Sequence, residues 1–237
     1  MTLLGWLAAL PLILGAAAAA VSYAAFGWLA ARGRAPLFAR VCAGRGGRCL
    51  LRGLATAVVA QAVMVAAYPL GPLLDARPRP GRRAAGADDD TAPAVVCLHG
   101  LYHNPSAFWR IRQALGRAGR GRVLLLGYSS FRGDFEAEAG RLAERLRELV
   151  PKAAPLCFLG HSLGGLMARR LAAEPDFAGR VRSLVTLGTP HQGSALARLA
   201  LGKLGRGLIP GGAILAGLDD LPDPPREIGR ASCRERV

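Results

Sequence analysis

Lysine, histidine and acidic side chains are all scarce in this 237-residue chain, and each shortage narrows what the chain can do. Lys152 and Lys203 are the only lysines, so the 31 basic residues are nearly all arginine, set against 16 acidic ones for a formal charge of +15. That excess is dispersed, +6 on residues 32–52 and +8 on residues 75–226, and no aromatic residues interleave with it, which argues against a nucleic-acid partner. Five cysteines, Cys42, Cys49, Cys97, Cys157 and Cys233, fall at spacings that fit neither a disulfide framework nor a zinc site. Neither a Walker-type phosphate loop nor a dinucleotide fingerprint occurs, so no cofactor and no metal is expected. With only four histidines, His99, His103, His161 and His191, any proton-transfer chemistry has few imidazoles to draw on.

Charge is also missing from two long stretches. Residues 2–31 carry none, and the run from Gly53 to Leu74 is likewise uncharged and mostly apolar. At 1.5 Å per helical residue each could cross a hydrocarbon core about 30 Å thick. Two membrane-spanning helices, about 2–31 and 53–74, are therefore expected within an anchor covering residues 1–74. Trp6 and Trp28 stand near the two ends of the first run, where interfacial aromatics belong. Between the runs lie Arg32, Arg34, Arg40, Arg45, Arg48 and Arg52 with no acid among them. The positive-inside bias puts that loop in the cytoplasm and the rest of the chain on the other side, the periplasmic face of a bacterial inner membrane. A linker over residues 75–92, with Asp88, Asp89 and Asp90, leads to the next domain.

The strongest chemical signal is the string Leu156-Cys157-Phe158-Leu159-Gly160-His161-Ser162-Leu163-Gly164-Gly165. An apolar run enters Gly-x-Ser-x-Gly, which lifts a serine off a strand on a sharp turn, and neighbours two residues away must then lack side chains. Gly160 and Gly164 meet that need, and Ser162 is the expected nucleophile. A second apolar run, Val95 to Leu98, ends in His99-Gly100-Leu101. Acyl transfer needs two backbone N–H groups for the oxyanion, and these are assigned to Leu163, directly after the nucleophile, and Leu101, at the mouth of the other strand. His99 is read as shaping its loop.

Four short apolar runs without strict alternation, Val95 to Leu98, Val123 to Leu126, Leu156 to Leu159 and Val181 to Leu187, read as parallel strands buried on both faces. Helical stretches fall between them, among them an amphipathic segment from Asp134 to Val150 with Phe135, Ala139, Leu142, Leu146 and Leu149 at helical spacing. The alternation predicts a doubly wound, mostly parallel α/β sheet with the serine at its carboxyl edge.

Three ordered strings, Leu98-His99-Gly100-Leu101, Gly160 to Gly165 and Leu187-Gly188-Thr189-Pro190-His191-Gln192-Gly193-Ser194, resemble the serine lipases and esterases of the α/β-hydrolase superfamily. The third looks like the segment following the next strand in bacterial triacylglycerol lipases and in the related glycolipid-anchor inositol deacylases. The resemblance runs over roughly residues 93–225 and implies an α/β-hydrolase fold acting on lipid or other acyl esters through an acyl-serine intermediate. It supplies no further triad member. The superfamily order is Ser, then Asp or Glu, then His, and no histidine follows His191. Asp219, Asp220 and Asp223 lie in a Pro-rich stretch and read as surface residues. The domain at 93–226 is therefore expected to be incomplete, with the catalytic Asp and His outside this chain. Residues 227–237 lack apolar periodicity, resemble a translated sequencing adapter, and are set aside as a non-native tail.

The expectation is a membrane-anchored serine esterase or lipase. An acyltransferase or peptidase on the same fold stays open, and acyl-acceptor profiling would separate it. A non-catalytic lipid- or partner-binding domain also stays open, and would be favoured if the gene encodes no downstream carboxylate and histidine.

Overall fold

The computed structural model describes residues 3–29, 46–77, 91–119, 121–131, 133–222 and 227–231. The expected linker core around Asp88–Asp90, the arginines at 32–45, Asp223, Cys42 and Cys233 lie outside the described residues. The chain divides into two compact units, residues 1–69 and 70–237.

The first unit is a helix pair. Helix α1 spans Leu3–Leu29 and α2 spans Gly46–Ala67. Small residues let the two backbones approach: a Cβ on Gly15 would stand 2.6 Å from the Ala62 amide nitrogen, and Ala19 and Ala62 are both buried. Close packing on small residues is how helices associate where no hydrophobic drive exists between them. Among the described residues one helix, Gly47–Leu74, has the length and composition to cross a membrane, while α1 contributes a shorter apolar stretch, Ala9–Ala25. Helix α2 starts earlier than the uncharged run suggests, so Arg48 and Arg52 ride on it instead of on the loop.

The second unit opens with a short helix, α3 (Gly71–Leu74), and builds a five-stranded parallel sheet in the order β2-β1-β3-β4-β5. The strands are β1 (Ala94–Leu98), β2 (Arg122–Leu126), β3 (Leu156–His161), β4 (Val181–Leu187) and β5 (Glu227–Ala231). The first four match the apolar runs to within two residues. Register aligns Leu98 with Leu126 on one side and with Gly160 on the other, so the carboxyl ends of the three strands are level. The fifth falls in the segment set aside as a tail. Backbone pairing is indifferent to side-chain identity, so its parallel pairing with β4, Leu184 opposite Glu227 and Leu187 opposite Ala231, leaves the origin of those residues as before.

Among the described residues six helices follow α3: α4 (Trp109–Arg117), α5 (Phe135–Leu149), α6 (Leu163–Ala172), α7 (Pro175–Ala178) and, after β4, α8 (Gly202–Arg206) and α9 (Ala213–Asp219). Helix α5 starts where Asp134 accepts a hydrogen bond from the Ala137 amide, a side-chain cap of the usual kind. Its buried stripe is the anticipated one, Phe135, Ala139, Leu142, Leu146 and Leu149, packed against α6 and the face of the sheet carrying Val96, Leu98, Leu124, Leu126 and Phe158. Leu163, Leu166, Met167 and Leu171 of α6 are fully buried there, each contributing about 1.5–3 kcal/mol of transfer free energy.

The opposite face is thinner. Cys97, Phe108 and Leu125 form a small buried cluster, while Val95, Val123 and Leu159 are only half-buried against it. Burial therefore alternates along β3, correcting the expectation of strands buried on both faces. Cys157 lies on this half-covered side, whereas Cys97 is enclosed and its thiol is pushed up to about 12 by desolvation.

Asp75 and Ala76, at the start of the expected linker, are tied to the sheet. The Asp75 carboxylate accepts from the Gly127 amide at 2.8 Å and from Arg145 at 2.7 Å, Arg145 also donates to the Ala76 and Gly127 carbonyls, and the Ala76 amide donates to Leu125. Arg145 is thus a clamp on the carboxyl end of β2.

Candidate active site

The turn between β3 and α6 is strained at one residue. Ser162 has φ 53° and ψ −124°, one of two non-glycine residues with positive φ among those described, the other being Tyr102 at φ 61°. Such a backbone costs of order 1–3 kcal/mol and persists only where its surroundings enforce it. They do so here through missing side chains. A Cβ on Gly160 would strike the backbone of Gly164 and Gly165, and one on Gly164 would strike the carbonyl oxygens of Leu98 and His99. The Ser162 amide donates to the Leu187 carbonyl at 2.9 Å, pinning the turn to the end of β4. Both glycines were anticipated from the motif, and the structure gives each its physical partner.

The loop after β1 lies directly on this turn. A Cβ on Gly100 would stand 3.1 Å from the Ser162 Cβ and 2.8 Å from His161 Nδ1. Leu163 is the first residue of α6, so its N–H has no intrahelical acceptor. Among the described residues no backbone carbonyl takes the Leu101 N–H either. The loops bearing Leu101 and Leu163 thus meet beside a half-buried serine at the carboxyl edge of the sheet.

His99 is fully buried and stacks on Tyr128, ring centres 4.3 Å apart and 6° from parallel. Its Nε2 accepts from the Tyr128 amide at 3.2 Å and its Nδ1 lies 2.9 Å from the Gly100 carbonyl, which together require a neutral ring protonated at Nδ1. Burial lowers its pKa to about 4. The Tyr128 hydroxyl in turn donates to the His99 carbonyl, and desolvation raises its pKa. This ring pair is scaffolding for the loop. His103 and His161 meet edge to face at 6.0 Å, and burial pulls both pKa values down. His191 sits at the end of β4 with Nε2 3.2 Å from the Thr186 hydroxyl. Among the described residues no histidine or carboxylate hydrogen-bonds the Ser162 hydroxyl, and Asp219 and Asp220 are exposed at the end of α9.

Several features carried no local sequence signal. Tyr102 turns its amide to the Ser130 hydroxyl at 2.8 Å, and its own hydroxyl both donates to the Leu201 carbonyl at 2.7 Å and accepts from the Leu201 amide at 2.6 Å. This bridge joins the loop after β1 to the segment after β4. Phe108 is a core residue, clustered with Cys97 and Leu125, while Trp109 is half-buried beneath Arg110.

A strand–turn–helix serine at the carboxyl edge of a parallel sheet, with glycine clearance on both sides and a second loop against it, is the arrangement of the α/β-hydrolase fold. Residues 93–205 match the family model for the alpha/beta hydrolase fold. Over part of its length the chain is similar to a curated lipase and a curated thioesterase fusion. It is 35% identical over 116 residues to the sn-1-specific diacylglycerol lipase ABHD11 of Mus musculus, covering 45% of this chain and 37% of that protein. It is 34% identical over 110 residues to the palmitoyl-protein thioesterase-dolichyl pyrophosphate phosphatase fusion 1 of Schizosaccharomyces pombe, covering 42% and 18%. The chain therefore spans well under half the length of either relative. Among solved structures it is similar to Bacillus licheniformis lipase BlEst2, with a TM-score of 0.49, 22% identity and coverage of 56% of this chain and 62% of that one. Phospholipase PlaB of Legionella pneumophila gives a TM-score of 0.47 at 20% identity, covering 53% and 33%. Residues 93–205 carry an α/β-hydrolase fold.

Proposed function

We propose that this protein is a membrane-anchored serine hydrolase that cleaves carboxylic esters of lipids or other apolar acyl chains. The observation that carries the reading is the backbone of Ser162, held at positive φ between Gly160 and Gly164 with the Gly100 loop against its Cβ. In the proposed cycle the Ser162 hydroxyl attacks the ester carbonyl. The oxyanion is received by the Leu101 and Leu163 amides, the alcohol leaves, and water releases the acyl group from the serine. The proton acceptor and its orienting carboxylate are assigned to residues outside this chain. His99 is locked neutral within its loop, and His191 engages Thr186, which supports that assignment. The lipase and thioesterase relatives support an acyl substrate.

Anchoring is proposed through the Gly47–Leu74 helix, with α1 as a second span packed on it through Gly15. The domain is placed on the periplasmic side by the charge bias of the sequence. The test is hydrolysis of p-nitrophenyl esters of graded chain length by the product of the complete reading frame, with mass-spectrometric detection of an acyl adduct on Ser162. Loss of both in Ser162→Ala is the expected result. Turnover that survives the substitution would overturn the assignment.

A further inference from the structure

Large apolar side chains exposed on the second unit are not scattered. Beyond residue 74, those described are Phe131, Leu196, Leu199 and Leu201, with 64%, 42%, 80% and 70% of their surface exposed. Tyr102 joins two of them, its ring stacking on Phe131 at 5.3 Å while its hydroxyl bridges both backbone groups of Leu201, and a Cβ on Gly202 would stand 3.5 Å from the Ser130 carbonyl; Leu196 and Leu199 lie on the segment that leads into Leu201. The cluster is at the carboxyl edge of the sheet, one residue from Leu101, whose side chain approaches Gly205 in α8. Isolated exposed leucines are ordinary, whereas a contiguous apolar patch rimmed by polar residues marks an interaction surface.

Charge points to the occupant. No acidic residue occurs between Asp176 and Asp219, and Arg198, Lys203 and Arg206 interleave with the exposed leucines, all three exposed themselves. Exposed leucines interleaved with cations on a segment without a carboxylate complement a surface of anionic headgroups over hydrocarbon.

We propose that the face formed by Phe131, Leu196, Leu199 and Leu201, with Arg198, Lys203 and Arg206, docks on the anionic lipid surface of the membrane that anchors the chain, so that Ser162 opens toward the bilayer and takes its ester from it. This deepens the esterase reading by naming where the substrate comes from. Docking is tested apart from catalysis by working in Ser162→Ala protein, so failure of one idea does not entail failure of the other.

The full chain is reconstituted in vesicles of phosphatidylcholine alone, or with about a third phosphatidylglycerol, a photo-crosslinking p-benzoylphenylalanine replacing Leu199, Leu201 or, on the loop before β3 at the opposite edge, exposed Lys152. Irradiation is expected to give lipid adducts at 199 and 201 but not at 152, with more in the anionic vesicles. The combined change Arg198→Glu, Lys203→Glu and Arg206→Glu should cut the adducts, by roughly fivefold per cation for the docking equilibrium. Raising salt on the unmodified face should do the same without any change of sequence, as exposed charges are screened. Equal lipid labelling at 152, adducts only to peptide, no adduct at all, or yields indifferent to anionic lipid would each overturn the proposal.

Discussion

Replacing Ser162 by glycine and by alanine removes the same hydroxyl but treats the backbone differently, and the comparison measures whether the turn is strained. At φ 53° and ψ −124° an L-residue pays for a Cβ that glycine lacks. The strain is about 1–3 kcal/mol, set against about 0.5–1 kcal/mol for the greater freedom that glycine loses on folding. Ser162→Gly should therefore be the more stable of the two by about 1 kcal/mol, which for a domain of this size is about 2–4 °C in melting temperature. The pocket offers no contrary contact, since the nearest neighbour on the Gly100 side is itself without a side chain. Denaturant titration of both variants in detergent, followed by circular dichroism, reads the difference directly. Alanine equal to or more stable than glycine would refute the strained turn. The experiment needs no turnover and so holds whatever supplies the proton acceptor.

Gly164→Ala places a methyl against the Leu98 and His99 carbonyls, and in the product of the complete reading frame should cost several kcal/mol and abolish fluorophosphonate labelling; a protein that melts and labels like the parent would contradict the packing described. Asp75→Asn removes the charge that holds Arg145 and the Gly127 amide in a half-buried clamp, and should lower stability by about 1–3 kcal/mol in thermal scanning, with no loss if the clamp is incidental. His99 is neutral when folded, with its pKa lowered to about 4 from 6.5, so the unfolded state takes up the proton first as pH falls. Its contribution is present in full above pH 6.5 and is lost as pH drops toward about 4. His103 and His161 shift in the same direction, and a His99→Gln variant should show a shallower acid limb in denaturant midpoints. The 237-residue chain alone should react only weakly with a fluorophosphonate at Ser162, and rapid stoichiometric labelling would show that a base is already in place.

Much of the sheet was legible because parallel strands leave a local mark. Val95 to Leu98 and Val181 to Leu187 are apolar runs whose burial depends on their own side chains, and they fall where expected. The serine turn was legible because its glycines answer a steric demand within five residues. The half-open second face was not, since burial there depends on what lies across the sheet: Cys157 and Leu159 are as apolar as their neighbours and still only half-covered. The Arg145 clamp was missed for a related reason. On α5 the residue sits among alternating charges and reads as solvated, and only the return of Asp75 from 70 residues away gives it a partner.

What the sequence determined by itself was chemistry with a short reach: an uncharged helix, a nucleophile flanked by glycines, strands spaced for a parallel sheet. The tertiary structure decided what is brought beside that serine. It set the Gly100 loop against the Ser162 Cβ, bridged Tyr102 to Leu201 across 99 residues, and stacked Phe131 on the same Tyr102 ring. The physical reason is the same throughout. Backbone conformation and apolar period are fixed by neighbours along the chain, whereas hydrogen bonds and exposed patches are fixed by neighbours in space, which exist only once the sheet has aligned the carboxyl ends of its strands.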